Sequence, residues 1–109
     1  MNEVVYLACP YTKGDTVVNV HNAFKVAEKL ASNGFIPYVP IWFHFWHIIS
    51  PHSYEFWTKM DLEFVKRCDC VLRIEGESEG ADKEVEFAQR QNIPVYYSIM
   101  EMIEGVEDE

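Results

Sequence analysis

Basic side chains are scarce in this sequence. Nine lysines and arginines stand against 18 aspartates and glutamates, a formal net charge of -9, and no Lys/Arg run makes a local positive patch. A surface of that sign repels a phosphate backbone, which argues against a nucleic-acid polymer as partner. A small phosphorylated ligand stays open, because a few backbone N–H groups can hold one phosphate inside an acidic protein. Glycine and proline are also sparse, at five each, and they form neither a linker nor a Walker loop. The cysteines are Cys9, Cys68 and Cys70, an odd number, and the last two stand too close on one predicted strand for an ordinary disulfide. Free thiols in a reducing compartment are therefore expected. There is no basic start followed by an apolar signal segment, and the longest apolar region, "FIPYVPIWFHFWHII", is broken by two prolines and two histidines. A cytoplasmic protein with no membrane span is the reading.

What is present is a composition of 49% apolar and 25% charged residues over 109 positions, enough for one globular domain spanning 1–109 and too short for two. "EVVYLACPY" begins as a short apolar strand and stops at Pro10. Asp15 or Thr16 caps the following helix, where Val20, Phe24, Ala27 and Leu30 supply an apolar face before "SNG" ends it. A second strand runs from Phe35 to Val39 and closes at Pro40. The aromatic segment Trp42–Ile49 reads as a loop or short helix, and a longer helix follows from about Ser53 to Lys66. "CDCVLRI" is the third strand, "GESEG" its loop, and "IPVYYSI" the fourth strand after an intervening helix. The last residues form a short helix that frays. Alternating strands and helices predict a flavodoxin-like or Rossmann-like three-layer α/β fold, with a small parallel sheet of four or five strands. In such sheets ligands bind beyond the C-terminal strand ends. There "ACPYTKGD", the residues after "PYVP", and "EGESEGAD" converge.

Glu84 lies in the predicted helix after the third strand. Ala81, Val85 and Ala88 form one helical stripe, with Glu84 and Phe87 beside it, while Lys83, Glu86, Gln89 and Arg90 take the opposite side. A carboxylate at the margin of a buried face is paired, exposed in a cleft, or placed for chemistry. The strand-end position favours the cleft.

Four pieces in order, "VYLACPY", "AEKLASNGFIPYVP", "MDLEFVKRCDCVLRI" and "SEGADKEVEFAQRQNIPVY", resemble the nucleoside 2-deoxyribosyltransferase-like superfamily, in a small branch near the deoxynucleoside 5'-monophosphate N-glycosidases. The resemblance implies that Glu84 is the nucleophile and that Asp61, before the third strand, assists it. Asp61 would protonate the leaving base, or orient the sugar or Glu84. Ala8, Cys9, Pro10 and Tyr11 at the end of the first strand, with Lys13, Ser78, Gly80 and Ala81, are the implied substrate contacts. Base-exchange members place an acid six positions before the nucleophile and the monophosphate N-glycosidases a serine, which here is Ser78. That serine either caps its helix or donates to a phosphate. Lys13 would supply one mobile cation where several relatives have an arginine-rich loop.

The implied activity is cleavage of the N-glycosidic bond of a 2'-deoxynucleoside 5'-monophosphate through a covalent glutamyl glycosyl intermediate, with no cofactor. Base exchange by a nucleoside 2-deoxyribosyltransferase is the alternative, and a non-catalytic nucleotide-binding module is the reading from another class. His44, His47 and His52 invite a metal, yet no Cys or carboxylate pattern closes such a site, and no metal is expected. The rings of Trp42–Ile49 would instead stack on a base, complete the core or bury against a second subunit. Superfamily members assemble as dimers or larger homo-oligomers, so the same is expected here. Cys9 is close to the cleft but lacks a companion histidine in a reliable motif, and it reads as a small pocket or core residue.

Overall fold

A computed structural model describes residues 3–11 and 14–107. Its elements, in chain order, are β1 (Val4–Ala8), α1 (Thr16–Ser32), β2 (Ile36–Tyr38), α2 (Trp42–Ile49), α3 (Tyr54–Lys66), β3 (Cys70–Arg73), α4 (Glu79–Arg90), β4 (Val95–Tyr96) and α5 (Ile99–Glu107). All pairings are parallel, and the four-stranded sheet has the order β2-β1-β3-β4. Continuous apolar runs such as "VVYLA" suit β1, which is a central strand covered on both faces.

Alternation along the strands divides the core into two layers. Val5, Leu7, Cys70 and Leu72 pack with Leu30 of α1 and Met102 of α5. Tyr6, Ala8 and Val71 face the other way, onto Val65 of α3 and Ala81 and Ala88 of α4. The three-layer α/β arrangement expected from the sequence is the one observed.

Caps set the helix starts. The Asp15 side chain accepts from the Val18 N–H at 3.2 Å, which makes Asp15 rather than Thr16 the cap of α1. Ser53 and Ser78 do the same for α3 and α4, accepting from Phe56 and Ala81. Two expectations are corrected. Phe24 is 54% exposed, because α1 turns Ala23 and Leu30 fully inward, with Val26 and Ala27 packed beside them. These four fall at i, i+3, i+4 and i+7, the spacing of a single helix face, with smaller side chains. The fourth strand is only Val95–Tyr96, since Ser98 already accepts from the Glu101 N–H and starts α5.

The chain leaves β1 toward β2 on one side and β3 toward β4 on the other, so the crevice between the ends of β1 and β3 is the topological switch point. The two loops there touch. Gly76 has φ +131, and a Cβ on it would lie 2.6 Å from Pro10 Cγ, so only glycine fits both the backbone and the contact.

Candidate functional site

Beyond those strand ends lies a cleft of about 410 Å³. Its inner carboxylates are Asp61 from α3 and Glu84 from α4, with the exposed Glu79 at the start of α4 on its rim, and Cys9, Tyr11, Ser78, Gly80 and Ala81 also line it. Seven of the residues expected at the site are thus brought together by three separate parts of the chain. Ala8 is fully buried in the core and Pro10 is buried against Gly76; neither lines the cleft, and they shape it from behind. Lys13 lies outside the described residues. A second groove, of about 360 Å³ between α3 and α4, contains neither carboxylate.

Glu84 is more deeply placed than its helical position suggested. It is 8% exposed and stands within the buried face of α4 beside Ala81, Val85 and Ala88. The Tyr6 hydroxyl donates to its Oε2 at 2.6 Å, a short hydrogen bond. Tyr6 itself is fully buried, tilted against Tyr38 at 5.7 Å, and Tyr38 stacks on Phe64 of α3 at 4.8 Å. Sequence reasoning passed over Tyr6. The available signal was a phenol in a strand otherwise wholly apolar, since a buried tyrosine hydroxyl needs a partner.

Burial pushes the Glu84 carboxyl up to about 8; the Asp61 charge adds to that, while the Tyr6 hydroxyl and the Arg73 guanidinium oppose it. Burial also raises Asp61 to about 7, and its Oδ1 is buried with no hydrogen-bond partner among the described residues. The two carboxyls interact and titrate as a pair. Near neutral pH the pair therefore retains a proton, shared between the two carboxyls. The hydrogen bond from Tyr6 nevertheless marks Glu84 as the place where negative charge is best supported, whereas nothing comparable faces Asp61 Oδ1.

Cys9 is pushed up to about 12, by burial first and then by the Glu84 charge. Its thiol stays protonated, which suits a pocket residue and not a nucleophile. Arg73, also missed from sequence, donates to the carbonyls of Ile74 and Gly76 and to Asp82 Oδ1, the last at 3.1 Å. It ties the β3–α4 loop to the start of α4. Among the described residues no three His, Cys, Asp or Glu side chains are grouped to hold a metal ion.

Residues 3–98 match the family model described as a domain of unknown function, DUF7768. The chain belongs to this family. Among solved structures it is similar to the 2-deoxyribosyltransferase of the psychrotolerant bacterium Bacillus psychrosaccharolyticus, with 24% identity and a TM-score of 0.62, covering 84% of this chain and 69% of that one. It is also similar to a 2-desoxiribosyltransferase from Leishmania mexicana, with 14% identity and a TM-score of 0.60, covering 85% of this chain and 61% of that one. No curated protein matches the sequence. At these identities the likeness establishes a fold shared with those two enzymes. Among the described residues, no helix is long and apolar enough to cross a membrane.

The buried carboxylates have a consequence for stability. Both have folded-state pKa values above their ordinary ones, so the folded protein holds protons that the unfolded chain releases as pH rises from about 4 to about 8. Their contribution is complete below pH 4 and is lost as pH rises through 7 to 8. Urea unfolding from pH 5 to 9 should show wild-type stability falling over that interval. Glu84→Gln should flatten the fall and be more stable at pH 9 by on the order of a few kcal/mol. An unchanged pH profile in Glu84→Gln would contradict this account of the pair.

Proposed function

We propose that the protein breaks the N-glycosidic bond of a 2'-deoxynucleoside and passes the deoxyribosyl group to a second base. The observation that carries this reading is the buried Glu84 carboxyl held by Tyr6 at the floor of a cleft that also contains Asp61. The activity of the two structural relatives, deoxyribosyl transfer, favours exchange over hydrolysis.

In the proposed reaction the Tyr6 hydroxyl holds one Glu84 oxygen and leaves the other to attack C1' from the face opposite the base. The C1'–N bond breaks as the new C1'–O bond forms, and its electron pair leaves with the base. The developing positive charge on the sugar favours ionised Glu84, so the shared proton passes to Asp61. From Asp61 it reaches the departing base, which leaves neutral. A second base then attacks C1' from the vacated face, returns its proton to Asp61 and frees Glu84. Two inversions give net retention. Burial serves this scheme, because it makes Asp61 a workable acid near neutral pH.

Hydrolysis of a 5'-monophosphate is the second reading, supported by Ser78 and Gly80 lining the cleft at the start of α4. Two features weaken it. Ser78 Oγ already accepts from the Ala81 N–H at 3.1 Å as a cap, and the Arg73 guanidinium is engaged by loop carbonyls and Asp82.

The same reading extends to assembly as a homodimer or larger homo-oligomer. One side of α2 turns Phe43, His44 and His47 into the cleft, while Phe45, Ile48 and Ile49 on the other are 65%, 63% and 82% exposed. A second copy would cover that apolar strip. Sedimentation at micromolar concentration should show a dimer or larger species; a monomer that stays fully active on dilution would contradict the proposal.

Activity is tested with the four deoxynucleosides and their 5'-monophosphates, with and without an added free base. Exchange into the added base is the expected result. Glu84→Gln should lower kcat by about a thousandfold or more, and Asp61→Asn by roughly a hundredfold. Higher kcat/KM for monophosphates, with no transfer to the added base, would select hydrolysis instead. Binding without base release across the panel would leave a binding module, and near wild-type turnover in Glu84→Gln would remove the proposed nucleophile.

A further inference from the structure

His47 of α2 lines the cleft, and its Nδ1 receives two hydrogen bonds. The Trp57 indole N–H donates to it at 2.7 Å and the backbone N–H of His52 at 3.2 Å. A ring nitrogen facing two N–H donors carries no hydrogen of its own, so the ring proton is assigned to Nε2. No hydrogen-bond partner for Nε2 is found among the described residues. The donor that fixes this tautomer is itself packed among four rings. The Trp57 ring meets Phe43 at 5.4 Å, Trp46 at 5.1 Å, Phe56 at 4.8 Å and His52 at 5.5 Å.

The place of this pair in the cleft gives it a use. Trp57 and Asp61 are four residues apart on α3, so they share a face roughly one turn apart, about 6 Å along the axis. Asp61 interacts with Glu84 at the floor, and both Asp61 and Trp57 line the cleft. A base bonded to a sugar at Glu84 would extend past Asp61 toward Trp57 and His47, which line the same cleft. Tyr11, Phe43 and His44 also line this space and supply flat faces for stacking, with Tyr11 and His44 edge to face at 4.8 Å.

We infer that His47 reads the base. Its Nε2–H donates to the exocyclic oxygen of a 6-oxopurine or 4-oxopyrimidine, and the cleft selects these over bases that carry an amino group at the same place. Resting on the deoxyribosyl-transfer reading, this inference specifies the substrate class of that site. An amino group would set one N–H against another, and the locked tautomer prevents the ring from turning acceptor. A hydrogen-bond donor left unmatched in a partly dry pocket discriminates more strongly than a small change in size.

The test is calorimetric titration with free hypoxanthine and free adenine, which differ in the group at issue and need no turnover. Wild type should bind hypoxanthine about tenfold more tightly. His47→Phe should bring the two affinities to within about threefold, and His47→Gln, which keeps an N–H, should retain part of the preference. Trp57→Phe keeps the imidazole but removes the strong donor to Nδ1, so the preference should shrink there as well. Nitrogen-15 NMR of the wild-type histidine rings should place the His47 proton on Nε2. A proton on Nδ1, equal affinities in wild type, failure to bind either base, or an undiminished preference in His47→Phe would each overturn the inference. A protein that prefers hypoxanthine in this His47-dependent way yet exchanges no base would leave the inference standing and sink the transfer reading. Efficient base exchange without the preference would do the reverse.

Discussion

A carboxyl group at 8% exposure inside a helix-sheet interface is the constraint around which this fold is arranged. Left alone, such a group would cost several kcal/mol as an anion or sit inert as an acid. The fold answers with the hydroxyl of Tyr6, 78 positions earlier in the chain and carried by a central strand. Because Tyr6 sits on β1, its position is set by backbone pairing to β2 and β3 on both sides, and its ring is held by Tyr38, which in turn stacks on Phe64. The geometry at Glu84 is therefore fixed by the sheet as well as by its own helix.

This arrangement divides charge between two carboxyls in one cleft. Glu84 has a phenol donor, and the Arg73 guanidinium lowers the energy of its anion; Asp61 has burial and an unpartnered oxygen. In the proposed reaction the first is suited to become an anion against a cationic sugar, and the second to hold a proton for the leaving base. Stability is sacrificed for that difference, since two carboxyls that prefer to be neutral must share space near neutral pH. The Arg73 contacts with Ile74, Gly76 and Asp82, and the close approach of Gly76 to Pro10, then fix the loops that frame the pair.

Much of the architecture was legible in the chain because it depends on local pattern. The uninterrupted apolar run around Tyr6 marked a covered strand, and Ser53 and Ser78 marked helix starts that the structure confirms. The cleft was legible through chain order, since residues after β1 and before α4 must meet beyond the ends of parallel strands. What remained hidden depends on contacts across long separations. The Tyr6–Glu84 bond cannot be read from periodicity, and the Trp57–His47 bond requires α2 to be a helix lying against α3, where the sequence left a loop or a short helix. Phe24 shows the same limit from the other side. Its helical spacing with Ala27 and Leu30 suggested burial, but α1 is rotated so that the neighbouring Ala23 takes the inward place.

The central claim is that Glu84 forms a covalent bond to the sugar. It is tested most directly by intact-protein and peptide mass spectrometry, on protein incubated with a deoxynucleoside in the absence of any acceptor base and quenched in acid. The account predicts a mass increase of one deoxyribosyl group, mapped to Glu84, that disappears when a free base is added and never forms in Glu84→Gln. Stoichiometric release of base from wild-type protein that remains unmodified, or a deoxyribosyl group attached at another residue, would contradict it.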